Sequence, residues 1–263
     1  MSSTFTEFPG GVAVVSGAAQ GIGAAVARAL AARGIVVAAL DVRADALAQL
    51  ASDAESAGAR IHPFDVDVAN ADAVRAAVDR IDATLGPIGM LANVAGILRL
   101  ADFRTLGDDD WAHSFAVNTH GVFHLSRSVA QRMIPRRAGS IVTVGSNAAL
   151  VPRMRMAAYA ASKAAAHQFT KCLGLELAEY GIRCNVVAPG STDTQMQRQL
   201  WTDERSVDAV IDGSLPAYRT GIPLRRIADP DDVASAVLFL LSNASRHVTL
   251  HSLCVDGGAT LGA

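Results

Sequence analysis

Short runs of apolar, mostly β-branched residues alternate along the chain with longer segments in which apolar residues recur at helical spacing. The short runs predict strands at residues 12–16, 35–40, 60–65, 90–94, 140–145, 183–188 and 250–255. The longer segments predict helices near residues 21–33, 44–57, 71–85, 109–133, 157–180 and 231–242. Regular alternation of strand and helix is typical of a parallel sheet covered on both faces. The pattern therefore predicts an α/β fold with a seven-stranded parallel sheet.

One segment, residues 191–226, loses this alternation. It is polar and contains Gly213, Pro216, Gly221 and Pro223, so we interpret it as a mobile excursion that covers a substrate pocket, a lid. No Pro/Ser-rich linker, internal repeat or low-complexity tract divides the rest of the chain. We therefore expect residues 1–263 to form a single domain.

Composition and charge exclude several classes of function. The 23 Lys and Arg residues against 25 Asp and Glu give a net charge of -2, which argues against electrostatic binding of nucleic acid. No apolar run approaches the roughly 20 residues of a membrane-spanning helix. The three cysteines lack metal-type spacing and are an odd number, which favours a reducing compartment. We expect a cytoplasmic protein with no membrane or nucleic-acid partner.

A glycine-rich turn follows the first predicted strand. Val12–Ser16 leads into Gly17-x-x-x-Gly21-x-Gly23 and then into a helix. Glycine lets the backbone approach a pyrophosphate closely, and the free N–H groups of the first helical turn face the anion. A purely structural turn is the alternative, but the flanking strand and helix favour dinucleotide binding.

Asp41 follows the second predicted strand, 18 residues after Gly23. A carboxylate there accepts hydrogen bonds from the adenosine ribose hydroxyls and repels a 2′-phosphate, which predicts NAD rather than NADP. Two alternatives stay open: Asp41 caps a helix, or Arg43 binds a 2′-phosphate. The lack of a basic residue at Ala18, Ala19 or Gln20 weakens the second.

Tyr159 and Lys163 are one turn apart on a predicted helix. A nearby positive charge lowers the pKa of a phenol, which would allow Tyr159 to exchange a proton with a substrate hydroxyl near neutral pH. Ser146, at the end of the fifth predicted strand, lies 13 residues before Tyr159 and would face the same substrate oxygen. These three residues predict acid/base chemistry on an alcohol or a ketone.

Together these motifs resemble those of the short-chain dehydrogenase/reductase family over essentially the whole chain. The resemblance is carried, in order and spacing, by Gly17-x-x-x-Gly21-x-Gly23, Asn93-Val94-Ala95-Gly96, Asn118, Ser146, Tyr159-x-x-x-Lys163 and Pro189-Gly190. It implies a single doubly wound domain of the Rossmann type. It also implies a catalytic group made of Asn118, Ser146, Tyr159 and Lys163, in which Tyr159 transfers the proton and Asn118 holds a relay water.

The same resemblance implies a cofactor site for NAD. Its residues would be Gly17, Gln20, Gly21, Ile22, Gly23, Asp41, Asp65, Val66, Asn93, Ala95, Gly96, Tyr159, Lys163, Pro189, Gly190 and Thr192. Within this set, Asp65 and Val66 would flank the adenine, and Thr192 would approach the carboxamide.

A narrower resemblance is to the 2,3-dihydro-2,3-dihydroxybenzoate dehydrogenases of catechol siderophore biosynthesis, a group within this family. It is carried by Gly96-Ile97-Leu98-Arg99, Pro152-Arg153, Cys184-Asn185-Val186-Val187, Pro189-Gly190-Ser191-Thr192-Asp193-Thr194 and Val255-Asp256-Gly257-Gly258. It implies NAD-dependent oxidation of a dihydroxycyclohexadiene carboxylate to the aromatic catechol acid. The chain departs from that group at Asn147 and Leu150, where an acidic residue and a histidine are usual, so a related dihydrodiol stays open. Another secondary alcohol or ketone, such as a 3-oxoacyl thioester, a sugar or a steroid, is the alternative.

Arginines near the predicted strand ends would bind the carboxylate of such a substrate. Arg99 follows the Gly96 turn, and Arg153 and Arg155 lie between Ser146 and Tyr159. A guanidinium holds a carboxylate through two hydrogen bonds, and we favour Arg153 and Arg99, with Ser146 and Tyr159 at the reacting oxygen. Solvated surface arginines are the alternative.

Two helices carry residues with a second interpretation. His120 and His124 have a spacing that suits a metal, but no third ligand is near, so no metal site is predicted. The predicted helices at 109–133 and 157–180 have many apolar positions. These are Phe115, Val122, Leu125, Val129, Ala165, Phe169, Cys172 and Leu173, which form either core or an oligomer interface. The family resemblance implies a homotetramer built on these two helices.

Overall fold

A computed structural model describes residues 7–198 and 205–262 of the chain. Its centre is a seven-stranded sheet in which every neighbouring pair of strands is parallel, as predicted. The order across the sheet is β3-β2-β1-β4-β5-β6-β7. The strands are β1 (Val12–Ser16), β2 (Val37–Asp41), β3 (Ile61–Asp65), β4 (Ile88–Asn93), β5 (Gly139–Val144), β6 (Ile182–Pro189) and β7 (Ser252–Val255).

Helices cover both faces of this sheet. They are α1 (Gly21–Ala31), α2 (Ala44–Ser56), α3 (Ala71–Leu85), α4 (Asp108–Phe115), α5 (Gly121–Met133), α6 (Ala157–Leu177), α7 (Gln195–Arg198), α8 (Arg205–Asp212) and α9 (Pro230–Leu241). Apolar residues of α1, α2 and α9 form one core, and those of α3, α5 and α6 form the other. The doubly wound α/β architecture is therefore confirmed.

The strand order reverses direction between β1 and β4. From β1 the chain first builds outward to β2 and β3 and then returns to add β4 on the other side. The two helices that leave this point diverge, so a crevice opens at the carboxyl ends of the two strands. Gly17, Asn93 and Ser146 all follow or end strands at this edge, which places the predicted chemistry in one region.

The predicted helix at 109–133 is wrong in one respect, because a π-helical turn at Ala116–His120 separates α4 from α5. Side chains of this turn bind neighbouring backbone. Asn118 Oδ1 accepts from the N–H of Ile97, and the Thr119 hydroxyl donates to the Ser162 carbonyl at 2.9 Å. These contacts to distant segments stabilise a turn that helical periodicity does not predict.

The segment 191–226 is more regular than expected. It contains α7, α8 and a short 3-10 turn at Leu215–Ala217, and residues 199–204 lie outside the described residues. Thr192, Thr194 and Arg219 line the crevice, so parts of the segment on both sides of residues 199–204 border it. That the segment acts as a lid stays a prediction. Within the two described ranges, no helix is long and apolar enough to cross a membrane.

Candidate active site

A cavity of about 520 Å³ opens at the crevice between β1 and β4. Besides Ser146, Tyr159 and Lys163, it is lined by most of the residues expected to bind the cofactor. Those residues are Gly17, Gln20, Gly21, Ile22, Gly23, Asp41, Val66, Ala95, Gly96, Pro189, Gly190 and Thr192. The sequence motifs therefore meet in one place.

The glycine turn has the backbone geometry that the sequence pattern requires. Gly17 and Gly21 have φ of +66° and +50°, in the left-handed region that favours glycine. A Cβ on Gly17 would lie 2.7 Å from the Cα of Ala95, so the turn packs directly on the chain after β4. Ser16, which the sequence analysis did not single out, holds this packing: its hydroxyl accepts from the N–H groups of Val94 and Ala95.

Asp41 ends β2 at the rim of the cavity, where its carboxylate is fixed on both sides. One oxygen accepts from the N–H of Ala19 at 3.1 Å, and the other accepts from the N–H of Arg43 at 3.1 Å. The side chain is only 11% exposed. Arg43 also lines the cavity, and one of its terminal nitrogens is buried without a hydrogen-bond partner in the described part of the chain.

Two residues of the predicted cofactor set do not line the cavity. Asn93 is buried in the sheet, where its Nδ2 donates to Ser126 at 3.0 Å and to Thr143 at 3.4 Å. Its side chain therefore links β4 to α5 and β5. Asp65 is exposed beside the cavity, whereas its neighbour Val66 lines it.

Ser146 and Lys163 approach the cavity from different elements. Ser146 follows β5, and its hydroxyl accepts from the N–H of Ala148 at 3.1 Å. Lys163, on α6, is buried and donates to the Val144 carbonyl at 3.0 Å. Tyr159 lies one turn earlier, and its ring centroid is 5.9 Å from the Lys163 Nζ. The hydroxyl, the phenol and the ammonium therefore face one volume.

The pKa of Tyr159 differs from the expectation. Burial raises the pKa of the phenol above its usual value, and a hydrogen bond with Ser146 opposes that increase. Lys163 is also buried, and burial lowers its pKa to about 8. The sequence analysis considered only the charge of Lys163 and not the loss of solvent around both groups.

His167, one turn after Lys163 on α6, was missed by the sequence analysis. Its imidazole is buried, and its Nε2 accepts from the N–H of Ser146 at 3.2 Å. Gly145 packs against the ring so closely that a Cβ at that position would overlap it. Burial and, to a smaller extent, the positive charges of Lys163 and Lys171 together lower the pKa of His167 to about 4. A histidine on a helix gives no pattern from which this contact could be predicted.

Asn118 is fully buried beside the cavity. Its Nδ2 donates to the Ile97 carbonyl and to Ser162 Oγ, both at 3.0 Å, and Ser162 Oγ donates to the Tyr159 carbonyl. The side chain thus fixes the loop after β4 to the helix that carries Tyr159. A Cβ on Gly96 would lie 3.2 Å from Asn118 Oδ1 and 3.1 Å from Lys163 Nζ, so a larger residue would crowd both side chains.

Of the arginines predicted to bind substrate, the structure brings only Arg153 to the cavity. Arg153 is half-buried and lines it. Arg99 is exposed, lies outside the lining and has its Nε 3.7 Å from an oxygen of Asp110. The expectation for Arg99 came from its place after the Gly96 turn, but the chain carries it past the crevice. Arg219, which the sequence analysis did not consider, also lines the cavity.

The structure places the histidines considered as metal ligands and the apolar residues considered for an oligomer interface. The described residues contain no group of three metal-ligating side chains, and the ring of His124 contacts the Val68 carbonyl. Val122, Leu125 and Val129 belong to the core of the protein itself, so they do not form an oligomer interface. Of the other predicted residues, Cys172 is exposed, whereas Phe115, Ala165, Phe169 and Leu173 are partly buried. Trp111, Phe123 and Leu175 add exposed apolar surface on the same helices.

Residues 11–205 match the short chain dehydrogenase family model. A 2,3-dihydro-2,3-dihydroxybenzoate dehydrogenase of Bacillus subtilis (strain 168) is 55% identical over 96% of this chain and 97% of its own length. The enzyme of the same name from Escherichia coli (strain K12) is 42% identical over 98% of this chain and 100% of its own length.

A solved structure shows the same architecture. It is a gluconate 5-dehydrogenase from Burkholderia cenocepacia J2315 in complex with NADP and tartrate, with a TM-score of 0.90 and 34% identity over 98% of both chains. The fold, the geometry of the site and the family match over residues 11–205 all indicate the same family. The protein is an oxidoreductase, and it belongs to the short-chain dehydrogenase/reductase family.

Proposed function

We propose that the protein catalyses the NAD-dependent oxidation of 2,3-dihydro-2,3-dihydroxybenzoate, or a closely related dihydroxycyclohexadiene carboxylate, to the aromatic catechol acid. One observation of the site carries this proposal: Ser146, Tyr159 and Lys163 share a cavity with the half-buried guanidinium of Arg153. The first three suit a secondary alcohol, and the guanidinium suits a carboxylate on the same ring. The names of the two dehydrogenases with 55% and 42% identity support the same substrate.

The cavity fits a nicotinamide dinucleotide. The positive φ of Gly17 and the close packing of the glycine turn leave room for a pyrophosphate at the N-terminus of α1. Because the solved gluconate dehydrogenase contains NADP, the choice of cofactor rests on this chain's own residues. The Asp41 carboxylate, fixed by two backbone N–H groups at the rim, favours a ribose with free hydroxyls and therefore NAD. A nicotinamide cofactor held by these residues would supply the hydride acceptor for the oxidation.

The side chains of the site provide the proton chemistry. Tyr159 takes the proton of the substrate hydroxyl, and Ser146 holds the same oxygen by a hydrogen bond. Lys163 stabilises the phenolate through its charge, and its Nζ is held at the cavity by the Val144 carbonyl. Asn118 keeps the loop after β4 against α6. The family resemblance gives it the further role of holding a water of the proton relay. The ring product then becomes aromatic by tautomerisation, which draws the reaction forward.

We also propose a cytoplasmic homotetramer that serves catechol siderophore synthesis. The assembly is supported by exposed apolar side chains on α4, α5 and α6, namely Trp111, Phe123 and Leu175. All three cysteines are free, which fits a reducing compartment. Sedimentation velocity measures the assembly directly: we expect a tetramer, and a monomer would exclude this part of the proposal.

The test of the activity is oxidation of a defined set of alcohols. Purified protein is incubated with NAD and, separately, with 2,3-dihydro-2,3-dihydroxybenzoate, the same dihydrodiol without its carboxylate, gluconate and a hydroxysteroid. We expect reduced nicotinamide to form fastest with the acid, and 2,3-dihydroxybenzoate to appear in equal amount. Faster turnover of gluconate or of the steroid would refute the proposed substrate while leaving the family assignment intact.

A further inference from the structure

Two arginines line the cavity from opposite segments of the chain. Arg153 lies in the loop between β5 and α6, which also carries Ser146, whereas Arg219 lies between α8 and α9. Both side chains are half-buried. They are separated by 66 positions in the sequence, so their juxtaposition is a property of the fold alone.

Neither guanidinium has a protein partner within hydrogen-bond or ion-pair distance in the described part of the chain. This is unusual for a half-buried arginine, because its five donors lose water on burial. Three other arginines of the segment 191–226 are exposed, and each of them forms an ion pair with an acidic residue. Those pairs are Arg198 with Asp193, Arg225 with Asp212 and Arg226 with Asp232.

The two guanidiniums affect each other electrostatically. Burial lowers the pKa of Arg219, and the positive charge of Arg153 lowers it further. Burial also lowers the pKa of Arg153, and the nearby carboxylate of Asp256 opposes that effect. Two cations thus share a partly desolvated space, and among the described residues the carboxylate that acts on Arg153 is that of Asp256.

Asp256 is already bound to other groups. Its carboxylate accepts from Asn147 Nδ2 at 3.2 Å, from the Thr260 hydroxyl at 2.8 Å and from the N–H of Gly258 at 2.9 Å. These contacts fix the turn at residues 256–260, the C-terminal turn. They also occupy both carboxylate oxygens, which leaves little acceptor capacity for a guanidinium. The pair of arginines therefore brings one net positive charge to the cavity beyond what Asp256 balances, which suits a monoanion.

The backbone that carries Arg219 is held in place before any ligand binds. Ser214 and Arg219 exchange two backbone hydrogen bonds of 2.9 Å across a tight turn. The following residues are attached to the C-terminal turn, because Thr220 donates to the Ala259 carbonyl and Leu224 donates to that of Gly257. A fixed backbone reduces the entropy that an arginine loses when it binds an anion.

We propose that Arg153 and Arg219 together form the carboxylate subsite of the enzyme, and that Arg219 sets its preference for a ring acid over the corresponding neutral diol. A carboxylate between two guanidiniums offsets their mutual repulsion and satisfies donors that have no protein partner. It also orients the ring with its alcohol towards Ser146 and Tyr159. This inference rests on the proposed function for the identity of the ring, but the binding of a carboxylate can be measured without turnover.

The test has two parts. Calorimetry in the presence of NAD compares the binding of 2,3-dihydroxybenzoate with that of catechol. Kinetics compare kcat/KM on the dihydrodiol that carries the carboxylate with kcat/KM on the dihydrodiol that lacks it. The variants are Arg219→Gln, Arg219→Lys and, as a matched control on the same segment, Arg225→Gln. We expect Arg219→Gln to weaken binding of the acid by about ten- to hundredfold, the range for losing a half-buried ion pair between a guanidinium and a carboxylate. Binding of catechol, which has no carboxylate, should not change. Arg219→Lys should lose less, and Arg225→Gln should bind both ligands as the parent does.

The outcomes separate the subsite from the proposed function. If the parent binds the acid better than catechol and Arg219→Gln loses this preference, the subsite stands even where the dihydrodiol acid is not oxidised, and only the proposed substrate fails. If the parent oxidises the acid and Arg219→Gln affects acid and diol equally, or neither, the subsite is refuted and the proposed function stands. A parent that binds both ligands equally also refutes the subsite. Unchanged melting temperature and NAD affinity confirm that each variant is folded.

Discussion

The imidazole of His167 accepts a hydrogen bond from the backbone N–H of Ser146, with 3.2 Å between the nitrogen atoms. The helix that carries Tyr159 and Lys163 therefore also holds the strand end that carries Ser146. Because Nε2 is the acceptor, the proton of the neutral ring lies on Nδ1, which is buried and has no partner among the described residues. Protonation of Nε2 would break the contact and place a charge beside Lys163.

This relationship predicts a pH dependence of stability. The pKa of His167 is lowered to about 4 in the folded protein, below its usual 6.5, so the unfolded chain binds a proton between these values and the folded protein does not. The free energy of unfolding should fall as pH decreases from 6.5 to 4, by up to about 3 kcal/mol. In His167→Leu this contribution is absent, and urea denaturation at several pH values should give a shallower dependence.

The exposed residue His247 provides the control, since His247→Leu removes a histidine from the surface. Its unfolding should follow the parent across the same pH range. His167→Leu should also lower kcat more than it changes KM for NAD, because the Ser146 N–H loses its acceptor. A His167→Leu variant with the parent's pH dependence would show that His167 is not the group responsible.

Tyr159→Phe tests the proton transfer. The variant retains the ring but has no hydroxyl to take the substrate proton, so kcat should fall by about 10²- to 10⁴-fold while NAD binds normally. Steady-state assays of product formation measure kcat, and titration with NAD measures its binding. Tyr180→Phe, which alters a tyrosine near the end of the same helical region, should keep full activity. A Tyr159→Phe variant with half the parent's kcat would show that the proton leaves by another group.

Ser146 should affect the pH profile of oxidation. Burial raises the pKa of Tyr159, and the hydrogen bond with Ser146 lowers it. Oxidation needs the deprotonated phenol, so kcat/KM should increase with pH, and Ser146→Ala should move the half-maximal point to higher pH. Ser146→Thr retains the hydroxyl and should keep the parent's profile. A profile in Ser146→Ala that moves to lower pH would contradict this account of the phenol.

Asp41→Ser tests the choice of cofactor. Loss of the carboxylate removes the repulsion of a 2′-phosphate, and the terminal nitrogen of Arg43 that lacks a partner is then available to it. We expect kcat/KM with NADP to rise relative to NAD by about tenfold or more. Adding Arg43→Gln should abolish the gain. Equal use of both cofactors by the parent would refute the NAD prediction, and a gain that survives in the double variant would exclude Arg43.

The sequence by itself determined the secondary structure, the glycine cradle and the Tyr159–Lys163 pair, because each depends only on residues close together along the chain. The alternation of short and long apolar patterns predicts the strands and helices, because side-chain periodicity follows directly from backbone geometry. The glycines at 17, 21 and 23 identify the cradle, since only glycine permits that close turn. Tyr159 and Lys163 are one helical turn apart, so their proximity needs no tertiary information.

Only the tertiary structure decided which distant side chains meet. The sequence analysis favoured Arg99 and did not consider Arg219, yet the fold places the first near Asp110 at the surface and the second in the cavity. Asn93 serves the packing of the sheet, and His167 supports Ser146 from 21 positions away. The desolvation that raises the pKa of Tyr159 depends on the whole surroundings of the phenol. Contacts between remote segments and the exclusion of water arise from packing in three dimensions, which local periodicity does not encode.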